Sequence, residues 1–200
     1  MKRLAGKKGV ILFFVLLLLV VGYFYYLSNR PVSQPEEIVE VEVMTATQQV
    51  LARDLASNYP PTPRELVKYY SEITQCFYNE ELTEDEIYAL GMKARELYDE
   101  ELVENQTEED YIDSLKYDIQ DFKNKHRTIA NYEPSSSLDV EEFSEDGSDW
   151  ARLYCNYAVK QGGVLYNSNT VFILRKDENE HYKIYGWKLA GDKPVFKNAE

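Results

Sequence analysis

Seventeen tyrosines, eight phenylalanines and two tryptophans stand against two histidines and two cysteines in 200 residues. Any chemistry here has few groups that titrate near neutral pH to draw on. The aromatic residues best placed to act are Tyr70 on the apolar stripe of an expected helix, Tyr111 at the start of another, Tyr157 in an alternating strand, and Tyr185 and Trp187 in the last strand. All five are predicted to face the core. Packing is the ordinary role of such residues. Should a pocket form among them, they would line it and offer hydroxyl donors to an organic ligand.

The other candidates read as structure. His126 sits in the basic cluster Lys123-Asn124-Lys125-His126-Arg127 at an expected helix C-terminus, where cations complement the helix dipole, and His181 falls in an expected turn. Neither has an evident carboxylate partner, and no His pair has metal-ligand spacing. Cys76 and Cys155 lack the His or Asp neighbours that a thiol nucleophile needs. Buried, unpaired thiols are expected, with a long-range disulfide as the alternative. The acidic runs Glu84-Asp85-Glu86, Glu108-Glu109-Asp110 and Ser144-Glu145-Asp146-Gly147-Ser148-Asp149 fail the calcium-loop pattern and suit helix starts and a solvated loop. Asn105-Gln106-Thr107 fits a glycosylation sequon, yet Thr107 is already explained as a helix cap. The sequence holds no Gly-rich phosphate loop, no serine nucleophile elbow and no internal repeat. No catalytic residue, metal or cofactor is therefore assigned.

The dominant element of the chain is the apolar run Val10 to Leu27. Between Lys8 and Arg30 lie 21 uncharged residues, about the length of a helix that crosses a bilayer core of roughly 30 Å. Lys2, Arg3, Lys7 and Lys8 precede it and Glu36, Glu37 and Glu40 follow, which places the N-terminus in the cytoplasm by the positive-inside rule. Tyr23, Phe24, Tyr25 and Tyr26 crowd its outer end, where aromatic rings favour the headgroup level. A cleaved secretory signal begins similarly, but this run is longer than a usual signal core, and the bulky Tyr25, Tyr26 and Leu27 stand where small residues would be needed.

The expected organisation is a cytoplasmic segment 1–8, a transmembrane helix 9–29, a stalk 30–44 and an extracytoplasmic domain 45–200. Residues 31–200 carry 17 basic and 35 acidic side chains, a net −18. Such a domain repels nucleic acid and anionic headgroups. Its aromatic content is that of a folded domain with one core and not of an acidic disordered tail.

Within the domain, Ile38, Val39, Val41 and Val43 alternate with acids as a brief edge strand, and Thr45 or Thr47 begins a short helix reaching about Asn58. Three helices are each announced by a threonine cap. Thr62-Pro63-Arg64-Glu65 precedes a stripe of Leu66, Tyr70, Ile73 and Phe77. Thr83-Glu84-Asp85-Glu86 opens a helix expected to run to about Asn105. Thr107-Glu108-Glu109-Asp110 opens a third with Tyr111, Leu115, Ile119 and Phe122 inward. After His126 the period becomes two. Strands are expected at Arg127 to Tyr132, Trp150 to Lys160, Val164 to Lys176 and Tyr182 to Ala190, with Pro134 to Asp149 as a connection and Gly162-Gly163 as a turn. The fold class is α+β, helices packed on one face of an antiparallel sheet.

Three helices followed by a long curled sheet ending in Tyr185-Gly186-Trp187-Lys188-Leu189 resembles the NTF2-like (cystatin-like cone) superfamily, over Thr62 to Leu189. The anchor, with Asn58-Tyr59-Pro60-Pro61-Thr62-Pro63-Arg64-Glu65 and Cys76-Phe77-Tyr78-Asn79-Glu80-Glu81-Leu82-Thr83, is similar to a family of single-pass membrane proteins from Gram-positive anaerobes that carries no assigned activity. The cone resemblance implies an apolar pocket between helices and concave sheet. Some cone proteins are isomerases or dehydratases using Tyr, Asp or His there, and some pair as homodimers through the outer sheet face.

The function expected is a membrane-tethered, non-catalytic interaction or ligand-binding module outside the cell membrane, with an unidentified protein partner in envelope assembly. An NTF2-like enzyme acting on a small apolar substrate is the alternative. Tethering raises the effective concentration of two partners on one surface, so a modest interface suffices.

Overall fold

A computed structural model describes residues 7–28 and 44–190, and in the first segment the side chains of Leu16–Tyr26. The chain divides into two compact units, Met1–Val43 and Met44–Glu200. In the first, helix α1 spans Lys7–Ser28, and every side chain described in it is exposed. Among the described residues no helix is long and apolar enough to cross a membrane. The expected 9–29 span reaches past the described side chains at both ends. Most of the stalk, and the edge strand expected at Ile38 to Val43, lie outside the described residues.

The second unit is α+β, with strands β1 (Arg127–Pro134), β2 (Glu141–Glu145), β3 (Ser148–Gln161), β4 (Val164–Lys176) and β5 (Tyr182–Leu189) in one curved antiparallel sheet. Its helices are α2 (Ala46–Leu51), α3 (Pro63–Asn79), α4 (Glu84–Arg95), α5 (Glu100–Glu104) and α6 (Glu108–Asn124). Of the two threonines expected to begin the first short helix, Thr45 caps it and Thr47 lies inside it; with it, the Oγ1 atoms of Thr62, Thr83 and Thr107 accept from the backbone N–H three residues on, as expected. Gln48 and Glu86 reach back to close capping boxes.

Two expectations about the helices need correction. α2 stops at Leu51, short of Asn58. The helix opened by Thr83 ends at Arg95 and does not continue to Asn105. Over Leu97 to Asp99 the chain instead pairs with β5: the Asp99 N–H donates to the Ile184 carbonyl at 2.9 Å, and the Ile184 N–H donates to the Leu97 carbonyl at 2.8 Å. Sheet hydrogen bonds replace helical ones, and Leu97 and Tyr98 are driven into the core. Asp99 then caps α5, its side chain accepting from the Glu101 N–H.

The 14-residue β3 organises the sheet. β1 pairs with its second half and β2 with its first, along the same edge. Ser135 plugs the gap between them: its N–H and Oγ both donate to the Tyr154 carbonyl, and its Oγ accepts from the Tyr154 N–H. β2 replaces part of the connection expected over Pro134 to Asp149. Its turn, Asp146-Gly147, has φ of 52° and 78°, the paired left-handed residues of a tight hairpin. The β3–β4 turn at Gly162-Gly163 has φ of 56° and 87°, as its glycines allow. Ala151, Leu153, Cys155, Tyr157 and Val159 alternate inward and meet Leu66, Ile73 and Phe77 of α3 in the core.

Candidate ligand cavity

A cavity of about 450 Å³ lies between the helices and the sheet, within the range of small-molecule sites. α3 contributes Tyr70, Thr74, Phe77 and Tyr78, and α6 contributes Tyr111, Leu115 and Phe122. The sheet supplies Ile129, Tyr157, Val159, Phe172 and Trp187. Arg95 ends α4 at one wall, and Asp118, exposed, belongs to another.

Three phenols form a chain across this space. The hydroxyls of Tyr70 and Tyr98 lie 3.4 Å apart, as do those of Tyr98 and Tyr111, and the Tyr111 hydroxyl donates to the Gly91 carbonyl at 3.3 Å. These separations are long for O–H···O bonds, so a ligand oxygen can draw one of the protons away at little loss. Burial raises all three phenols above the ordinary tyrosine range, keeping them neutral donors at physiological pH. Tyr157 is raised by burial as well. Its hydroxyl lies 2.8 Å from Ser71 Oγ, which itself donates to the Val67 carbonyl at 2.7 Å. Tyr157 is therefore the donor in that pair, and its proton is already used.

Trp187 stands at the rim, 44% exposed, with its ring 5.5 Å from both Tyr70 and Tyr98. Phe172 packs edge-on to Tyr70 at 5.7 Å. Together these rings offer an apolar, π-rich lining, and the slack phenol chain offers polarity along one line.

Of the five aromatic residues singled out from the sequence, the cavity brings together Tyr70, Tyr111, Tyr157 and Trp187. Tyr185 is excluded and does not face the core. Ile173 pairs with Gly186 and Leu174 with Ile184, which leaves Tyr185 as the extra residue of a β-bulge. The bulge reverses the alternation, so Ile184 and Trp187 meet the helices while Tyr185 lies against Trp150 at 5.0 Å and Arg175 at 5.1 Å, its hydroxyl donating to Glu101.

Tyr98 and Arg95 are the functional candidates that sequence reasoning missed, because both depend on the end of α4. A signal was present: Asp99-Glu100-Glu101 is an N-cap with acids in the first turn, which announces a new helix after Tyr98.

The remaining candidates lie elsewhere. His181 stacks on Tyr59 at 4.4 Å, and His126, at φ 51°, turns the chain out of α6. Cys76 and Cys155 are free and buried, and burial pushes both thiols up. Glu84-Asp85-Glu86 and Glu108-Glu109-Asp110 are first turns of α4 and α6. Among the described residues no group of three or more His, Cys, Asp or Glu could hold a metal ion.

No curated protein matches this chain. A family model does, and its match extends through both units: over residues 1–187 the chain belongs to the family described as a domain of unknown function, DUF6715.

Proposed function

We propose that this chain is a membrane-anchored, extracytoplasmic binding module of the NTF2-like cone kind, whose cavity takes a small organic ligand. The observation that carries the reading is the Tyr70, Tyr98 and Tyr111 hydroxyl chain beside Trp187 in a cavity of about 450 Å³. A core built only for stability would be close-packed and would not keep such space beside polar groups. Anchoring is supported by the 21 uncharged residues between Lys8 and Arg30, which as a helix rising roughly 1.5 Å per residue would match a bilayer core. A protein partner in the cell envelope and pairing of two copies through the outer sheet face remain part of this proposal.

Two experiments test it. Protease added to intact cells should degrade residues 45–200 and spare the N-terminus, and protection of the domain would overturn the topology. Titration of the full chain in nanodiscs with 2-naphthamide should quench tryptophan fluorescence saturably, and a linear, nonsaturating response would overturn the cavity reading.

The isomerase or dehydratase reading draws on the same phenols, which as neutral donors suit a developing oxyanion. It would require Asp118, the carboxylate among the lining residues, as its base. Turnover of a bound carbonyl compound that Asp118→Asn abolishes, with binding retained, would favour it.

A further inference from the structure

Arg64, Arg152 and Arg175 each meet a carboxylate. Arg53 and Arg127 instead donate to the Asn58 carbonyl and the Gln161 side chain, and among the described arginines Arg95 is set apart by a buried nitrogen with no partner. Among the described residues no carboxylate lies within 4.0 Å of Arg95. Its Nη2 donates to the carbonyls of Val103 at 3.0 Å and Gln106 at 3.2 Å, and its guanidinium carbon lies 5.5 Å from the centre of the Tyr111 ring. Nη1 is buried and has no hydrogen-bond partner. A guanidinium stays charged at any physiological pH, and unpaired buried donors on a cation are strongly disfavoured. Two carbonyl dipoles stabilise this one only in part. In a unit so rich in acids, the lack of a carboxylate here means that the protein supplies no counter-charge.

We infer that Arg95 is the anchor for an acidic head group, and that the ligand is an organic carboxylate with an apolar, aromatic-compatible body. This rests on the cavity reading above and names the class of molecule that enters. Arg95 lines the cavity, and a turn of its side chain on binding would bring the two Nη1 N–H donors to one or both carboxylate oxygens. The neighbouring Tyr111 and Tyr98 hydroxyls add neutral donors, and the body of the ligand lies along Tyr70, Phe172 and Trp187. The domain's net negative charge opposes approach at long range, but at ordinary ionic strength that field is screened within about 8 Å, and contact with the guanidinium decides the outcome. The Tyr78 phenol is raised by burial and next by the charge of Asp118, whereas the Arg95 charge acts on Tyr111 in the opposite sense. The cavity is thus polarised, with its cationic end at α4.

The test compares 2-naphthoate with its neutral isostere 2-naphthamide, by calorimetry on the full chain in nanodiscs with empty nanodiscs as reference. The acid should bind about tenfold or more tightly than the amide, as expected for hydrogen bonds to a charged group. Arg95→Gln should remove that preference, lowering acid affinity far more than amide affinity, and Arg95→Lys should keep part of it. Equal affinities in the wild type would overturn the inference while the cavity reading stands. So would equal loss of both ligands in Arg95→Gln, the mark of a merely structural arginine. Failure of both probes to bind the wild type would overturn the cavity reading and this inference with it. The wild-type comparison decides the matter even if Arg95→Gln does not fold.

Discussion

Arg175 and Asp99, 76 residues apart, meet through two hydrogen bonds, Nε to Oδ2 at 2.9 Å and Nη2 to Oδ1 at 2.5 Å. The Asp99 side chain is only 6% exposed and that of Arg175 22%, so this pair is largely out of water. Arg175 Nη1 also reaches Glu101 at 2.7 Å. One guanidinium on β4 thereby pins the start of α5, and with it the turn that swings Tyr98 into the cavity.

The stability consequence follows from stranding a charge. Asp99→Ala removes both the partner of Arg175 and the cap of α5, and should lower the unfolding free energy by about 3 kcal/mol. Arg175→Ala should cost a similar amount by leaving the Asp99 carboxylate buried and unpaired. In a double-mutant cycle read by urea denaturation, the two should couple by more than about 1 kcal/mol. Additive effects would show that the contact contributes little.

The β-bulge at Tyr185 makes opposite forecasts for two residues that a simple strand would treat alike. Trp187→Ala should weaken 2-naphthamide binding about tenfold through the loss of ring contacts. Tyr185→Ala should leave that affinity within about twofold, since Tyr185 packs on Trp150 and Arg175 outside the cavity. Equal losses in the two variants would contradict the observed register.

Alkaline titration should reveal the buried phenols. Burial holds Tyr69, Tyr78 and Tyr132 up at about 12, against 10.0 for an unperturbed phenol. Between those values the folded chain retains protons that the unfolded chain releases. Stability is therefore full below about pH 10 and declines as pH rises toward about 12. Tyrosinate absorbance and helical circular dichroism should change together over that window. Complete tyrosine ionisation near pH 10, with the helices intact, would contradict the burial described.

Close contact of α4 and α6 rests on Gly91. A Cβ there would meet Ile112 Cδ1 at 2.8 Å and Leu115 Cδ2 at 3.1 Å, with Tyr111 at 3.4 Å. The first two atoms are the flexible ends of side chains and can move. Gly91→Ala should stay within about 1 kcal/mol of wild type, because the gain in helix propensity offsets the crowding. Gly91→Leu should destabilise by about 2 to 3 kcal/mol and weaken naphthamide binding, since it displaces the helix that carries Tyr111. Thermal unfolding and the ligand titration read both effects.

The sequence by itself determined what a few neighbouring residues can encode. The threonine caps, the apolar stripe of α3, the inward alternation of β3 and the Gly162-Gly163 turn each follow from hydrogen-bond satisfaction or periodicity within a span of several residues. Asp146-Gly147 belonged to the same class and marks a hairpin, although its acidic surroundings suggested a loop. The Asp99 cap marks a new helix after Tyr98, but only the tertiary structure decided that α4 ends at Arg95, which side of β5 Tyr185 takes, and whether the aromatic residues close over a cavity or fill it. Each of those depends on partners far along the chain: Leu97 and Asp99 on Ile184 and Arg175, and Tyr185 on a register shift against Ile173 and Leu174. Backbone pairing between distant segments overrides local helix preference when it satisfies the same donors and acceptors while burying more apolar surface, and that balance is struck only once the sheet has formed.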